Sequence, residues 1–177
     1  ELIHADPVQV IFTSGGSESN NTAVKGVAER SSSEGNHVIT TEIEHPAVTE
    51  PCRYLEGKGW EVTYMPVDEK ARVNPEDVRD ALRKETVLVS VMLANNEVGT
   101  LQSLEEIGNI LRDEDVLLHT DAAQAVGKIP VDVDELGVDL LTVAGHKLYA
   151  PKGVGALYVR DPDILEPLIH GAGPEGG

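Results

Sequence analysis

The sequence predicts an α/β fold of three layers, a mainly parallel sheet flanked by helices, and three observations carry that reading. Short runs rich in β-branched residues alternate with segments of helical apolar spacing along the whole chain. The runs TVLVSVML and VLLHT are nearly continuous in apolar residues, as strands covered on both faces are. Polar residues capable of chemistry recur just after the predicted strands, and open α/β sheets bind their ligands beyond the carboxyl ends of their strands.

Residues 8–13, VQVIFT, read as a strand closed by the turn Ser14-Gly15-Gly16. A helix over 18–29 follows from the spacing of Ala23, Val24, Val27 and Ala28, with Ser17 or Ser19 as its cap. RSSSEGN breaks that pattern. The alternation continues with a strand over 37–41, a helix over 46–56, a strand over 61–65, a helix over 75–84 and a strand over 87–93. A helix over 103–112, a strand over 116–120, a helical turn over 122–126 and strands over 139–143 and 156–159 complete the order. Four polar groups then fall at strand ends: SGGS, the Glu44-His45 turn, Asn95-Asn96 and Asp121.

Composition bounds the partners. A chain of 177 residues makes one domain, and with aromatics at 3% its core is aliphatic. The net charge of −17 is spread along the chain, which disfavours phosphodiester backbones and anionic membranes and suits a salt-adapted surface. A single cysteine, Cys52, forms no internal disulfide and gives no sign of an oxidising compartment, so a cytoplasmic setting is expected. No apolar run reaches the roughly 20 residues of a membrane helix, and no basic-then-apolar leader opens the chain. The start on Glu1 and the closing PEGG read as those of a segment of a longer protein.

Three places carry chemistry. SGGSESNN puts glycines at a strand end and hydroxyl and amide residues at a helix start, where backbone N–H groups and the helix dipole converge on an anion such as phosphate. An ordinary glycine turn with a serine cap explains that segment equally well. Asp121 ends an apolar strand, where an unpaired carboxylate is costly unless a cation such as a protonated pyridine nitrogen compensates it; capping the turn AAQAV is its simpler role, and the two are compatible. Lys147 lies between two predicted strands, where desolvation would make its amine neutral and nucleophilic; a snorkelling surface lysine is the simpler reading. Beside it, His146 and the small Ala144 and Gly145 suggest close approach of a cofactor to the backbone.

SGGSESNN, EHPAV, NNEVGT, HTDAAQAVGKIPVDV and GHKLYAPKGVGALYVR stand in an order and spacing that resemble the cysteine desulfurases of the nitrogen-fixation and iron–sulfur-assembly type, within the class V aminotransferases. The resemblance covers nearly the whole chain. It implies the large domain of a fold-type I pyridoxal-phosphate enzyme over residues 1–177, without the N-terminal segment and the C-terminal small domain, and inactive by itself. Lys147 would hold pyridoxal 5'-phosphate as a Schiff base and shuttle protons, and Asp121 would keep the ring nitrogen protonated. His45 would stack on the ring, Gln124 would hydrogen-bond the phenolic oxygen, and Asn96 would sit near that oxygen and the substrate carboxylate. Gly16, Ser17 and His146 would hold the phosphate.

The implied reaction removes sulfur from L-cysteine to give alanine and an enzyme persulfide, in a homodimer that serves a sulfur acceptor or iron–sulfur scaffold. A selenocysteine lyase, C–S lyase or aminotransferase of the same class is the alternative. Two departures bear on this. Ala144 stands where many relatives carry a phosphate-binding serine, a loss of very roughly 1 kcal/mol if nothing replaces it, and apolar residues also occur there among selenocysteine-lyase-like relatives. The family's reactive cysteine and substrate-gripping arginine map onto nothing in this chain, and Cys52 reads as a buried free cysteine. HGAGPEGG resembles the stretch before a subunit-crossing phosphate contact.

Rival readings are few. His119 and Asp121, two apart on one strand, could join His146 in a metal hydrolase, although no HExxH or paired-cysteine spacing supports it. His119 is more simply a core histidine. A non-catalytic fragment is a third possibility, and a dinucleotide site is set aside because GxGxxG is absent after the first strand.

Overall fold

The computed structural model describes residues 2–171. Seven strands form one sheet: β1 (Val10–Thr13), β2 (His37–Thr41), β3 (Glu61–Met65), β4 (Thr86–Ser90), β5 (Leu117–Asp121), β6 (Leu140–Ala144) and β7 (Gly155–Val159), in the order β1-β7-β6-β5-β4-β2-β3. Only β7 runs against the rest, paired with β6 on one side and β1 on the other. The sheet is therefore mainly parallel, as the apolar runs predict.

Strand order dictates the layers. Crossovers between parallel strands are right-handed, so connections that step one way along the sheet share a face, and those that step back take the opposite face. The steps β1 to β2 and β2 to β3 place α1 (Gly16–Arg30) and α2 (Pro46–Glu56) together on one side. The return through β4, β5 and β6 places α3 (Pro75–Ala81), α4 (Leu104–Leu111) and α5 (Val133–Leu136) on the other. Adjacent residues of each central strand feed opposite cores, as a period of two requires. Val38, Leu88, Leu140 and Leu157 join Ala23, Val24 and Val27 of α1 and Val48 and Leu55 of α2. Ile39, Val89, Leu118, Leu141 and Tyr158 join Val78 of α3, Leu104 and Ile107 of α4 and Val133 of α5.

Several predicted bounds move for local reasons. Residues 7–9 form a 3-10 turn led by Pro7, so the first strand starts at Val10 rather than at residue 8. The predicted helical turn over 122–126 is an irregular turn, closed by amides of Ala125 and Val126 on the Ala122 carbonyl. Helix α5 answers to no sequence expectation; Asp132 caps it through the amides of Asp134 and Glu135, and Gly137 ends it at φ 66°. Neither Ser17 nor Ser19 caps α1. Gly15 occupies that position, and the Ser19 hydroxyl turns inward to Thr13 Oγ1 at 2.8 Å and the Ala156 carbonyl at 3.1 Å.

Two glycines let the strand ends close up. A Cβ on Gly155 would meet Gly15 Cα at 2.6 Å, so β7 can approach the β1–α1 turn only with hydrogen at that position. A Cβ on Gly145 would meet the Val154 carbonyl at 2.6 Å, where the Gly145 amide itself donates at 3.0 Å. Among the described residues no helix is long and apolar enough to cross a membrane.

Candidate active site

The carboxyl ends of β1, β2, β4, β5 and β6 border one cavity of about 450 Å3. Gly16, Ser17, His45, Asn96, Asp121, Gln124, His146 and Lys147 all line it, joined by Ser14, Glu18, Asn20 and Met92. Each strand contributes through its own terminal turn.

After β1, Gly15 adopts φ 152° and ψ 177°, a region that side chains avoid, and α1 then opens with the amides of Gly16 and Ser17. A Cβ on Gly16 would meet the Ala144 methyl at 3.3 Å, so Ala144 abuts this turn and offers it no side-chain donor. Glu18 is turned back onto the Ser14 amide and hydroxyl, and those bonds hold its carboxyl below the usual range.

After β2, His45 caps α2: its Nδ1 accepts from the Ala47 amide at 3.1 Å, which leaves the neutral ring's proton on Nε2. After β4, the two asparagines divide the work. Asn95 is buried, accepting the amides of Glu97 and Val98 and donating to the Ile43 carbonyl, so that it knits the β4 and β2 ends together. Asn96 is exposed and lines the cavity.

Asp121, at the end of β5, is the best-defined group. Its Oδ1 accepts the Ala123 amide at 2.9 Å and its Oδ2 accepts Asn20 Nδ2 at 2.7 Å. The turn-capping role is therefore real, and a buried carboxylate with only neutral donors still faces the cavity. Asn20 is the residue that sequence reasoning passed over. Its amide donates to Asp121 while its buried Oδ1 has no partner among the described residues, an orientation that the carboxylate demands. Gln124 follows on the next turn; Lys128 Nζ donates to its Oε1 at 2.7 Å, which leaves the Gln124 NH2 free to donate.

After β6, the 3-10 turn Gly145–Leu148 carries His146 and Lys147. Both side chains are exposed at the cavity mouth, where the sequence predicts a partly desolvated lysine; among the described residues no apolar cover buries Lys147. The metal triad is corrected as well. His119 is fully buried with both ring nitrogens engaged, Nδ1 to Ser90 Oγ at 2.8 Å and Nε2 to Thr142 Oγ1 at 3.2 Å, and burial pushes it down to about 3. It is a neutral core histidine with no lone pair for a metal. Cys52 is buried and its thiol is pushed up to about 12, so it is neither paired nor reactive. His170 and Gly171 apart, the HGAGPEGG stretch lies outside the described residues.

The aminotransferase class-V family profile matches residues 1–173. The chain belongs to that family. Among class-V relatives, a cysteine desulfurase IscS of Dictyoglomus turgidum is 55% identical over 175 residues, which are 99% of this chain and 44% of that protein. A mitochondrial cysteine desulfurase of Candida albicans is 50% identical over 179 residues, covering 100% of this chain and 37% of the relative. Among solved structures, SspA in complex with cysteine superposes with a TM-score of 0.96 at 45% identity, over 99% of this chain and 51% of that one. The chain thus spans about half the length, or less, of the relatives it matches.

The class-V family uses pyridoxal phosphate, and the fold is that of its fold-type I enzymes. The cavity suits that group on its own geometry. It offers a glycine turn and helix N-terminus for a phosphate, a lysine amine for an aldehyde, and a buried carboxylate whose only partners are neutral, which leaves it a charge to share with a protonated ring nitrogen.

Proposed function

We propose that residues 1–177 are the larger, cofactor-binding domain of a cysteine desulfurase, and that the cavity is its active site. One observation carries the assignment: a buried Asp121, held by Asn20 and Ala123, shares a cavity with Lys147 and the Gly15-Gly16 turn, a set that matches the charges of a phosphorylated cationic heterocycle. The cysteine bound in the SspA complex and the desulfurase activity named for the relatives support cysteine as substrate.

In this reading the Gly16 amide, the Ser17 hydroxyl and the His146 ring hold the phosphate, and His45 stacks on the ring. Asp121 keeps the proton on the ring nitrogen, and Gln124 donates its free NH2 to the phenolic oxygen. Asn96 faces the substrate carboxylate. Pyridoxal phosphate, when bound, supplies an electron-poor ring that stabilises negative charge at the substrate Cα. Lys147 Nζ is the covalent anchor and the group that takes the Cα proton and returns it to the product.

The balanced reaction is L-cysteine plus an enzyme thiol going to L-alanine plus an enzyme persulfide: the substrate C–S bond breaks and a new S–S bond forms. Cys52 is not that thiol, because it is buried and uncharged. The sulfur-accepting cysteine therefore belongs to another part of the protein. The protein is a homodimer that hands sulfur to an acceptor or iron–sulfur scaffold in the cytoplasm or, as for the Candida albicans relative, in a mitochondrion.

Borohydride reduction of the cofactor-loaded intact protein, followed by peptide mapping, tests the site. Lys147 is expected to carry the label, and Lys147→Ala to lose both the label and alanine formation from cysteine. Label on another lysine, or none, refutes the assignment.

A further inference from the structure

Among the described residues the molecule buries two carboxyl groups, Asp121 and Glu44. They stand at strand ends on either side of β4 and are held by consecutive residues beyond it. The Met92 amide donates to Glu44 Oε1 at 2.8 Å, and the Leu93 amide donates to the Asp121 backbone carbonyl at 3.0 Å. Two negative charges buried beside one strand end repel, so the site favours ionising one of them.

The placement of donors decides which. Asp121 receives one N–H on each oxygen. Glu44 receives both of its donors, the Met92 amide and the Thr41 hydroxyl, on Oε1, and its buried Oε2 has no partner. Among the described residues no Lys, Arg or His forms an ion pair with it. A carboxylate with a bare buried oxygen and no cation is costly, whereas a proton on Oε2 removes the charge and leaves both bonds to Oε1 in place.

We propose that Glu44 is a positioning residue that works as a neutral acid: its uncharged carboxyl ties the His45 turn to the end of β4, and its neutrality leaves Asp121 the one buried negative charge at the strand ends. The second half rests on the reading of Asp121 as the cofactor's partner. The groups that face Glu44 agree with this. Burial, reinforced by the Asp121 charge, pushes Glu44 up to about 8. From α2 the uncharged Cys52 thiol faces it; beyond β4 stand Met92, Leu93 and the uncharged Asn95, which donates to the Ile43 carbonyl; its own turn carries the exposed Glu42 and His45.

A carboxyl raised from an ordinary 4.5 to about 8 is protonated in the fold and ionised in the unfolded chain between those values, so its contribution to stability falls as pH rises through that window and levels above it. Infrared spectroscopy of the intact protein, with and without pyridoxal phosphate, tests this alongside Glu44→Gln and Glu44→Ala. Wild type at pH 7 is expected to show a protonated-carboxyl carbonyl band that Glu44→Gln lacks and that titrates away near pH 8. Relative to Glu44→Gln, the wild-type unfolding constant should rise by up to about tenfold per pH unit across the window. Glu44→Gln keeps cofactor affinity at pH 7 within about threefold, while Glu44→Ala, which drops the Met92 bond, weakens it by about tenfold.

No such band at pH 7, or a Gln variant that loses cofactor as Ala does, overturns the proposal. Should the Ala variant fail to fold, the wild-type band and the Gln variant still decide. Because the band is read without cofactor, its absence leaves the desulfurase assignment standing, and misplaced borohydride label leaves the neutral acid standing.

Discussion

Asp121 shows how one side chain serves the fold and the site at once. Its Oδ1 closes a turn on the Ala123 amide, and its Oδ2 is fixed by Asn20, so the carboxylate cannot swing away from the cavity. A hydrogen bond to a charged group contributes about 1.5–3 kcal/mol, so Asn20→Ala should weaken pyridoxal-phosphate retention roughly tenfold to a hundredfold in an equilibrium titration, with the Lys147 attachment intact. Affinity equal to wild type would reduce Asn20 to packing. At this scale the sequence was legible where chemistry is local: Gly16, Ser17, His45, Asn96, Asp121, His146 and Lys147 each sit in or beside a strand-end turn, Gln124 was found through the family resemblance alone, and all eight line the cavity. Asn20 was not legible, because its partner lies 101 residues away and nothing in SNN distinguishes one asparagine from the next. Nor was the exposure of Lys147, since flanking strands do not determine what covers the turn between them.

The elements meet at small residues. Gly155 lets β7 reach the β1–α1 turn, and a methyl there would press on Gly15 backbone atoms, which have no flexible end to yield. Gly155→Ala is expected to destabilise by about 1–3 kcal/mol in denaturant unfolding and to loosen phosphate binding as well, because the displaced turn is the one proposed to hold the phosphate. Unchanged stability would show that the turn has slack. Strands and long helices were readable because their apolar period is set by burial on a known face: Ala23, Val24 and Val27 of α1, and Val38 against Ile39 of β2, sort into the two cores by period alone. The four-residue α5 was not, for it owes its existence to the Asp132 cap and the left-handed Gly137 more than to any apolar repeat. The reversed direction of β7 was equally hidden, since an apolar run carries no arrow.

For the molecule as a whole, the buried neutral His119 and Glu44 pull stability in opposite directions with pH. Unfolding lets His119 bind a proton below its ordinary 6.5, while the folded ring resists down to about 3, so stability falls as pH drops through that range. The Glu44 contribution falls as pH rises from 4.5 towards 8. His119→Asn should therefore flatten the acid side of a thermal-unfolding profile between about pH 3 and 6.5, and an unchanged acid limb would mean that His119 is charged in the fold. The mainly parallel three-layer sheet was legible from alternation and strand composition, whereas the order β1-β7-β6-β5-β4-β2-β3 depends on pairings between remote segments. The pairing of Val10 with Tyr158 is the most remote in consequence. During synthesis β1 must wait for β7, its one strand neighbour among the described residues, which is made only after every other strand of this sheet. The β1–α1 turn is thus made before every other strand of the sheet and braced only when the last arrives, and a nascent chain short of residue 155 has no finished pocket to load.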